Sequence, residues 1–289
     1  MIKNLYSLKK DIVEAGRRVY NRGYVASNDG NISARIDEKR VVITPTGVSK
    51  GFMSPDDLVV VDYEGDVVEG KKKPSSEVYM HLRIFKERPD VNGICHAHPP
   101  VATGFAVAGI PLTQCILPEV IISLGGIPLA EYGTPGTDEF YQPVLKYLKD
   151  YDAFLLENHG ALTIGKDVMN AYHKMETLEH FAHIAFVATQ LGNVNTLKGE
   201  NVQKLLDLRK NFGIKSNVTC ETCESSNAAA CSIVAPNQPH AAGSAPASPI
   251  GNSPPVGSAS NSPPVLPEGI DQEALVKQIT ATILKRLSG

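Results

Sequence analysis

The stretch CHAHPP, Cys95 to Pro100, sets two histidines one residue apart and follows them with two prolines. Along an extended strand, side chains alternate between faces with a period of two. His96 and His98 would therefore point the same way, close enough to grip one cation. Pro99 and Pro100 lack backbone donors and would end the strand there. A third imidazole is on offer at His159, in LLENHGAL, where Gly160 lets the chain turn tightly behind it. Three neutral imidazoles leave one position open on a tetrahedral ion, which is the arrangement of a catalytic rather than a structural site. Zinc suits such ligands best, with iron, cobalt or manganese as substitutes. The pattern HxH alone does not decide this, since such a pair is more often two ordinary polar residues at a strand end.

Three further stretches carry small donors. In KPSSEVYMH, Ser75 and Ser76 precede a helical pattern whose first turn holds Glu77. A helix start with free N–H groups and hydroxyls suits a phosphate, although serine before an acidic first turn is also a plain capping signal. SNDGNIS (Asn28, Asp29, Gly30, Asn31) and TPTGVSKG (Thr44, Thr46, Gly47) read as tight loops at strand ends, open to an anion. Neither contains GxxxxGK[ST] or GxGxxG, so a nucleotide loop is not indicated.

Other candidates read as structural. His173, His180 and His183, with Glu176 and Glu179, lie along one long helix and are expected to be solvated or hydrogen-bonded rather than a second metal site. Cys220-x-x-Cys223 has no second CxxC, and a zinc knuckle is not expected.

The elements that must position these residues interleave. LKKDIVEAGRRVYNRG, SEVYMHLRIFKERP, VMNAYHKMETLEHFAHIAFVATQLG and ENVQKLLDLRKNFG have helical spacing, the second opened by its serines. VVITP, LVVVDYEG, VNGICHAH and DAFLLEN read as strands. The class is α/β or α+β in layers.

The whole chain narrows the function classes. Its 289 residues suffice for one large domain or two small ones, and the formal net charge is -3 with no basic patch, so nucleic acid is not an expected partner. No apolar run is long enough to span a bilayer, the N-terminal stretch lacks a signal-peptide core, and five cysteines fit reduced thiols; the chain reads as cytoplasmic.

Taken in order, DGNIS, TPTG, PSSE, HAH and NHG resemble the class II aldolase/adducin-head family, especially its L-fuculose-1-phosphate aldolase branch, over about residues 5 to 215. The resemblance implies a three-layer α/β/α fold around a central, largely antiparallel sheet, and a homotetramer with active sites at subunit contacts. It implies one zinc ion per subunit held by His96, His98 and His159. Glu77 would be the acid–base group, able also to occupy the open metal position. Phosphate would be held at Asn31, Thr46, Gly47, Ser75 and Ser76, with Gly30 alongside. The bottom-up chemistry agrees, because retro-aldol cleavage leaves charge on an enediolate that a divalent ion can absorb. Two departures concern the aldehyde side: TQCILPEVIISLGGIP offers Glu119 where the family has a tyrosine, and Phe212 stands where a second tyrosine is expected. Within the same family, a pentulose-5-phosphate 4-epimerase shares the chemistry but recombines the fragments. A non-catalytic, adducin-like scaffold lacks the metal histidines.

Composition divides the chain into an enzyme domain (1–215), a linker (216–267) and a terminal helix (268–289). From Ser225 to Pro267 there is no Asp, Glu, Lys or Arg. Such a segment cannot bury enough apolar surface to offset chain entropy, and its mean reach is on the order of 35 Å. Beyond it, Leu275, Ile279, Ile283 and Leu287 recur every fourth residue and form one helical stripe, with Lys277 and Lys285 on the other side. A flexible linker followed by a short amphipathic helix resembles the encapsulation peptides of bacterial microcompartment cargo. The implied partner of residues 268–289 is a shell protein.

Overall fold

The structure is a computed structural model that describes residues 4–134, 137, 139, 141–214, 218–221 and 232–234. The stripe of Leu275 to Leu287 and Cys223 lie outside the described residues.

Apolar spacing builds the first helix, α1 (Leu5–Asn21), which buries Leu8, Ile12, Ala15, Gly16 and Val19 along one side. The Asn4 side chain accepts from Ser7 N–H and caps its start. Ile12 is fully buried, and a side chain of that size contributes about 1.5–3 kcal/mol when removed from water.

Next come strands β1 (Asn31–Arg35), β2 (Arg40–Ile43), β3 (Val59–Asp62) and β4 (Val67–Glu69), then α2 (Val78–Glu87). They are followed by β5 (Gly93–Ala97), α3 (Pro100–Val107), α4 (Pro118–Ser123), β6 (Leu129–Ala130) and α5 (Gln142–Tyr147). The domain continues through β7 (Ala153–Leu156), β8 (Gly160–Gly165), α6 (Val168–Gln190) and α7 (Gly199–Asn211). Strands β1 to β8 make one sheet in the order β4-β3-β2-β1-β5-β8-β7-β6. Every pairing is antiparallel except the last, β6 with β7.

Period-two alternation divides the core into two layers, one per sheet face. Cys95 and Ala97 of β5 pack with α1, α3 and α6, whereas Ile94 packs with α2, α5 and α7. His96 follows the parity of Ile94. The three-layer α/β/α arrangement with a largely antiparallel sheet is therefore as expected.

Three local expectations need correction. Helix α2 begins at Val78 rather than at the serines: Ser75 to Glu77 form a turn closed by Val78 N–H donating to the Ser75 carbonyl at 3.1 Å. DGNIS is only half a loop, since Asn31 already pairs with His96 across β1 and β5. The span read as a linker is not irregular from its start. Val218 is buried in the core, and β9 (Thr219–Glu221) pairs antiparallel with β10 (Ser232–Val234), both short runs containing β-branched residues. No helix among the described residues is long and apolar enough to cross a membrane.

Candidate metal centre and acid–base group

Three adjacent central strands position the imidazoles. His96 lies on β5, His98 one residue beyond its end, and His159 in the turn between β7 and β8. His98 N–H donates to the Tyr24 carbonyl at 2.8 Å, which continues the extended path past Ala97. Asn158, just before His159, adopts a left-handed φ of 54°. Gly160 closes the turn, and a Cβ there would stand 2.6 Å from the Ala97 carbonyl oxygen and 2.6 Å from His98 Cδ2. Its missing side chain is what lets the two ligand-bearing segments approach.

The three rings converge by their Nε2 atoms. His96 Nε2 lies 3.0 Å from His159 Nε2 and 3.2 Å from His98 Nε2. These histidines form a group able to hold a metal ion, with one ligand atom from each lying within 4.8 Å of the others. Their outer nitrogens explain the orientation. His96 Nδ1 is 2.8 Å from the Ala161 carbonyl and must donate to it, which leaves Nε2 with its lone pair. His98 Nδ1 faces the Asp29 carboxylate at 3.5 Å. Such partners fix tautomer and ring direction in metal sites.

Burial pushes His96 down to about 3 and lowers His98 as well, so both rings are neutral and ready to ligate. Glu77, its side chain 10% exposed, places Oε2 3.2 Å from His96 Nε2 and Oε1 3.2 Å from His159 Nε2. Burial alone would raise its carboxyl, but the hydrogen bond donated by the Asn31 amide opposes this, and the carboxyl lies well below the usual carboxylate range. Neutral imidazoles beside an ionised carboxylate form the protonation state a divalent cation requires. The donor set fits such an ion.

Of the residues expected to hold a phosphate, Gly30, Asn31 and Ser75 lie beside this centre. Asn31 Nδ2 donates to Glu77 Oε2 at 2.8 Å. Gly30, at φ 72°, passes so close to β5 that a Cβ would meet the His96 carbonyl oxygen at 2.7 Å. Ser75 is buried, and its Oγ accepts from Glu77 N–H at 3.3 Å, so one of the two serines serves the local turn. Ser76, Thr46 and Gly47 are exposed. Thr44 is fully buried, and its Oγ1 accepts from Ile32 N–H, a structural role.

Lys50 escaped the sequence reading, and the partners of Glu179 could not be read from it. Lys50, 2% exposed, donates to the carbonyls of Asn28 at 2.8 Å and Val48 at 2.9 Å. It ties the DGN loop to the TPTG loop, and its place inside TPTGVSKG was the available signal. Glu179 accepts from Val101 and Ala102 N–H at 3.0 and 2.8 Å, capping α3 directly behind HAHPP. That contact, and the pairing of Glu176 with Arg22 at 2.9 Å, give the α6 carboxylates structural roles, in line with expectation. Glu119, in the first turn of α4, and Phe212, 70% exposed after α7, stand apart from the cluster's hydrogen bonds among the described residues.

Residues 10–186 match the family model of the class II aldolase and adducin N-terminal domain. The chain belongs to that family. Within the class II aldolase/adducin family it is 33% identical over 181 residues to an L-fuculose phosphate aldolase of Methanococcus maripaludis, covering 63% of this chain and 97% of the relative. It is equally 33% identical, over 203 residues, to a 3-oxo-tetronate 4-phosphate decarboxylase of Haemophilus influenzae, covering 69% of this chain and 92% of that one. Among solved structures it is similar to an L-fuculose 1-phosphate aldolase, with TM-score 0.66, 31% identity, and coverage of 71% and 96% of the two chains.

Proposed function

We propose that this chain is a zinc-dependent lyase that cleaves L-fuculose 1-phosphate, or a related 6-deoxy-ketose 1-phosphate, to dihydroxyacetone phosphate and L-lactaldehyde. The observation that carries this reading is the convergence of His96, His98 and His159 on one point beside the Glu77 carboxylate. The three histidines would hold the cation, with Glu77 able to fill the open position. When bound, it would stabilise the negative charge that develops as the carbon–carbon bond breaks. Glu77 moves the proton at the enediolate carbon, a task that needs a carboxylate within reach and shielded from bulk water. Asn31, Thr46, Gly47, Ser75 and Ser76, with Gly30 allowing close approach, bind the phosphate and orient the reacting carbons. In this reading the enzyme works as a homotetramer.

A second reading is favoured by the decarboxylase relative at equal identity. Decarboxylation of a 3-oxo-tetronate 4-phosphate also leaves an enediolate and also yields dihydroxyacetone phosphate, with carbon dioxide in place of the aldehyde. Measuring the second product decides between them. Incubated with each substrate in turn, with metal content measured on the same sample, the protein should release aldehyde from the ketose phosphate and no carbon dioxide from the tetronate. Release of carbon dioxide alone would replace the aldolase reading, and metal-free protein with full activity would end both.

The terminal segment carries a separate proposal: residues 268–289 direct the enzyme to a microcompartment shell protein inside the cytoplasm, where a reactive aldehyde is enclosed. Deleting Glu268 to Gly289 should leave activity intact and abolish co-purification with shells. Unchanged association would overturn it.

A further inference from the structure

Behind Glu77 a chain of hydrogen bonds runs into the core. Asn31 Nδ2 lies 2.8 Å from Glu77 Oε2, and Asn31 Oδ1 lies 2.5 Å from His81 Nε2. His81 Nδ1 lies in turn 2.6 Å from Ser33 Oγ. Ser33 and His81 are fully buried and Asn31 is 4% exposed. Two elements supply the chain. Asn31 and Ser33 are two apart on β1 and share a face, while His81 lies on α2, four residues after Glu77 at the helix's N-terminal boundary.

The proton positions follow from what each group can do. A carboxylate only accepts, so Asn31 turns its NH2 toward Glu77. The amide oxygen also only accepts, so His81 carries its proton on Nε2. Nδ1 keeps its lone pair and accepts from the Ser33 hydroxyl. The reverse arrangement would aim the amide oxygen at the carboxylate.

We propose that Ser33, His81 and Asn31 form a buried positioning chain for Glu77, with a neutral His81, protonated on Nε2, at its centre. The proposal rests on Glu77 being the acid–base group. His81 touches no reacting atom; it decides which end of the Asn31 amide faces the carboxylate. A neutral amide holds the carboxylate in one orientation without cancelling its charge, as a lysine or arginine would. Asn31 keeps a second N–H, so the group that orients Glu77 can also bind the substrate anion. Burial supports the neutral ring by pushing His81 down to about 4.

The tautomer is read by imidazole nitrogen resonances of the substrate-free protein near neutral pH. The His81 signals are those lost in His81→Gln. A protonated Nε2 with a bare Nδ1 is expected, with or without chelator; a proton on Nδ1 overturns the proposal. In kinetics, His81→Leu should lower kcat by about 10- to 100-fold, the range for residues that orient active groups from behind. KM should move by less than about threefold, and bound metal should stay unchanged, if the effect falls on proton transfer alone. His81→Gln keeps an amide N–H toward Asn31 and should recover most of the loss. If the leucine variant does not fold, Ser33→Ala tests the far end of the chain and should cost about tenfold in kcat. Wild-type kcat in a folded His81→Leu or Ser33→Ala overturns the proposal. Absence of any lyase activity in the wild type refutes the functional reading instead and leaves the tautomer result standing.

Discussion

Glu77 Oε2 lies 3.2 Å from His96 Nε2, so the prospective proton carrier and a prospective metal ligand are immediate neighbours. Its other oxygen makes the same approach to His159. Exchange of Glu77 for glutamine keeps shape and a hydrogen-bond acceptor for Asn31 but removes the charge and the basicity. We expect Glu77→Gln to fold, to keep its metal, and to lose about 10²- to 10⁴-fold in kcat, the usual worth of a positioned acid–base group. Near-normal turnover would remove Glu77 from the reaction.

Gly160 predicts a geometric failure. Alanine there would collide with the backbone oxygen of Ala97 and the ring of His98, each 2.6 Å from the new carbon. Relief requires the β5 end and the β7–β8 turn to separate, so Gly160→Ala should lose metal affinity and about 1–3 kcal/mol of stability. Metal titration together with thermal melting checks both; unchanged affinity would mean the two segments can yield.

Asp29 faces His98 Nδ1 at 3.5 Å and holds the ring's outer nitrogen. Asp29→Asn removes the negative charge while keeping the size. Metal affinity should fall by about tenfold, as for other partners of ligating histidines. A competition titration against a colorimetric chelator measures it, and an unaltered constant would assign Asp29 to the loop alone.

Lys50 predicts a pH dependence. Burial pushes its ammonium down to about 8, against an ordinary 10.5. Between those values the unfolded chain holds the proton more firmly than the folded one, so stability rises with pH across that window. The gain is on the order of 3 kcal/mol, from 1.36 kcal/mol per pKa unit. The stability of wild type relative to Lys50→Met should therefore rise from pH 8 to 10.5, as chemical denaturation at each pH would show. A constant difference would place the lysine in contact with solvent.

The sheet and the metal group were largely legible because both depend on short-range periodicity. Alternation in VNGICHAH put His96 and His98 on one face, and the glycine after His159 marked a tight turn. Residues whose roles depend on long-range packing were not. Lys50 sits in a motif read for its threonines and glycine, and only the fold shows its ammonium reaching the Asn28 carbonyl. Asn31 stood among phosphate donors, and nothing local tells that its amide also meets a carboxylate 46 positions further on. His81 had a usable signal, four residues after Glu77 on a helix, but its partner Ser33 is 48 positions away. Helix α3 was missed because PVATGFAV is apolar without a clear stripe, and the cap that starts it comes from Glu179 on α6.

Strand order has a last consequence. The imidazoles come from β5 and the β7–β8 turn, whereas the loops around Gly30 and Gly47 border β1 and β2. In the proposed function, the imidazoles that would hold the cation and the loops that would anchor the substrate's remote end thus come from separate blocks of chain. Evolution can rework what departs from the substrate while leaving both blocks alone, and one scaffold can descend into enzymes that shed an aldehyde and enzymes that shed a gas.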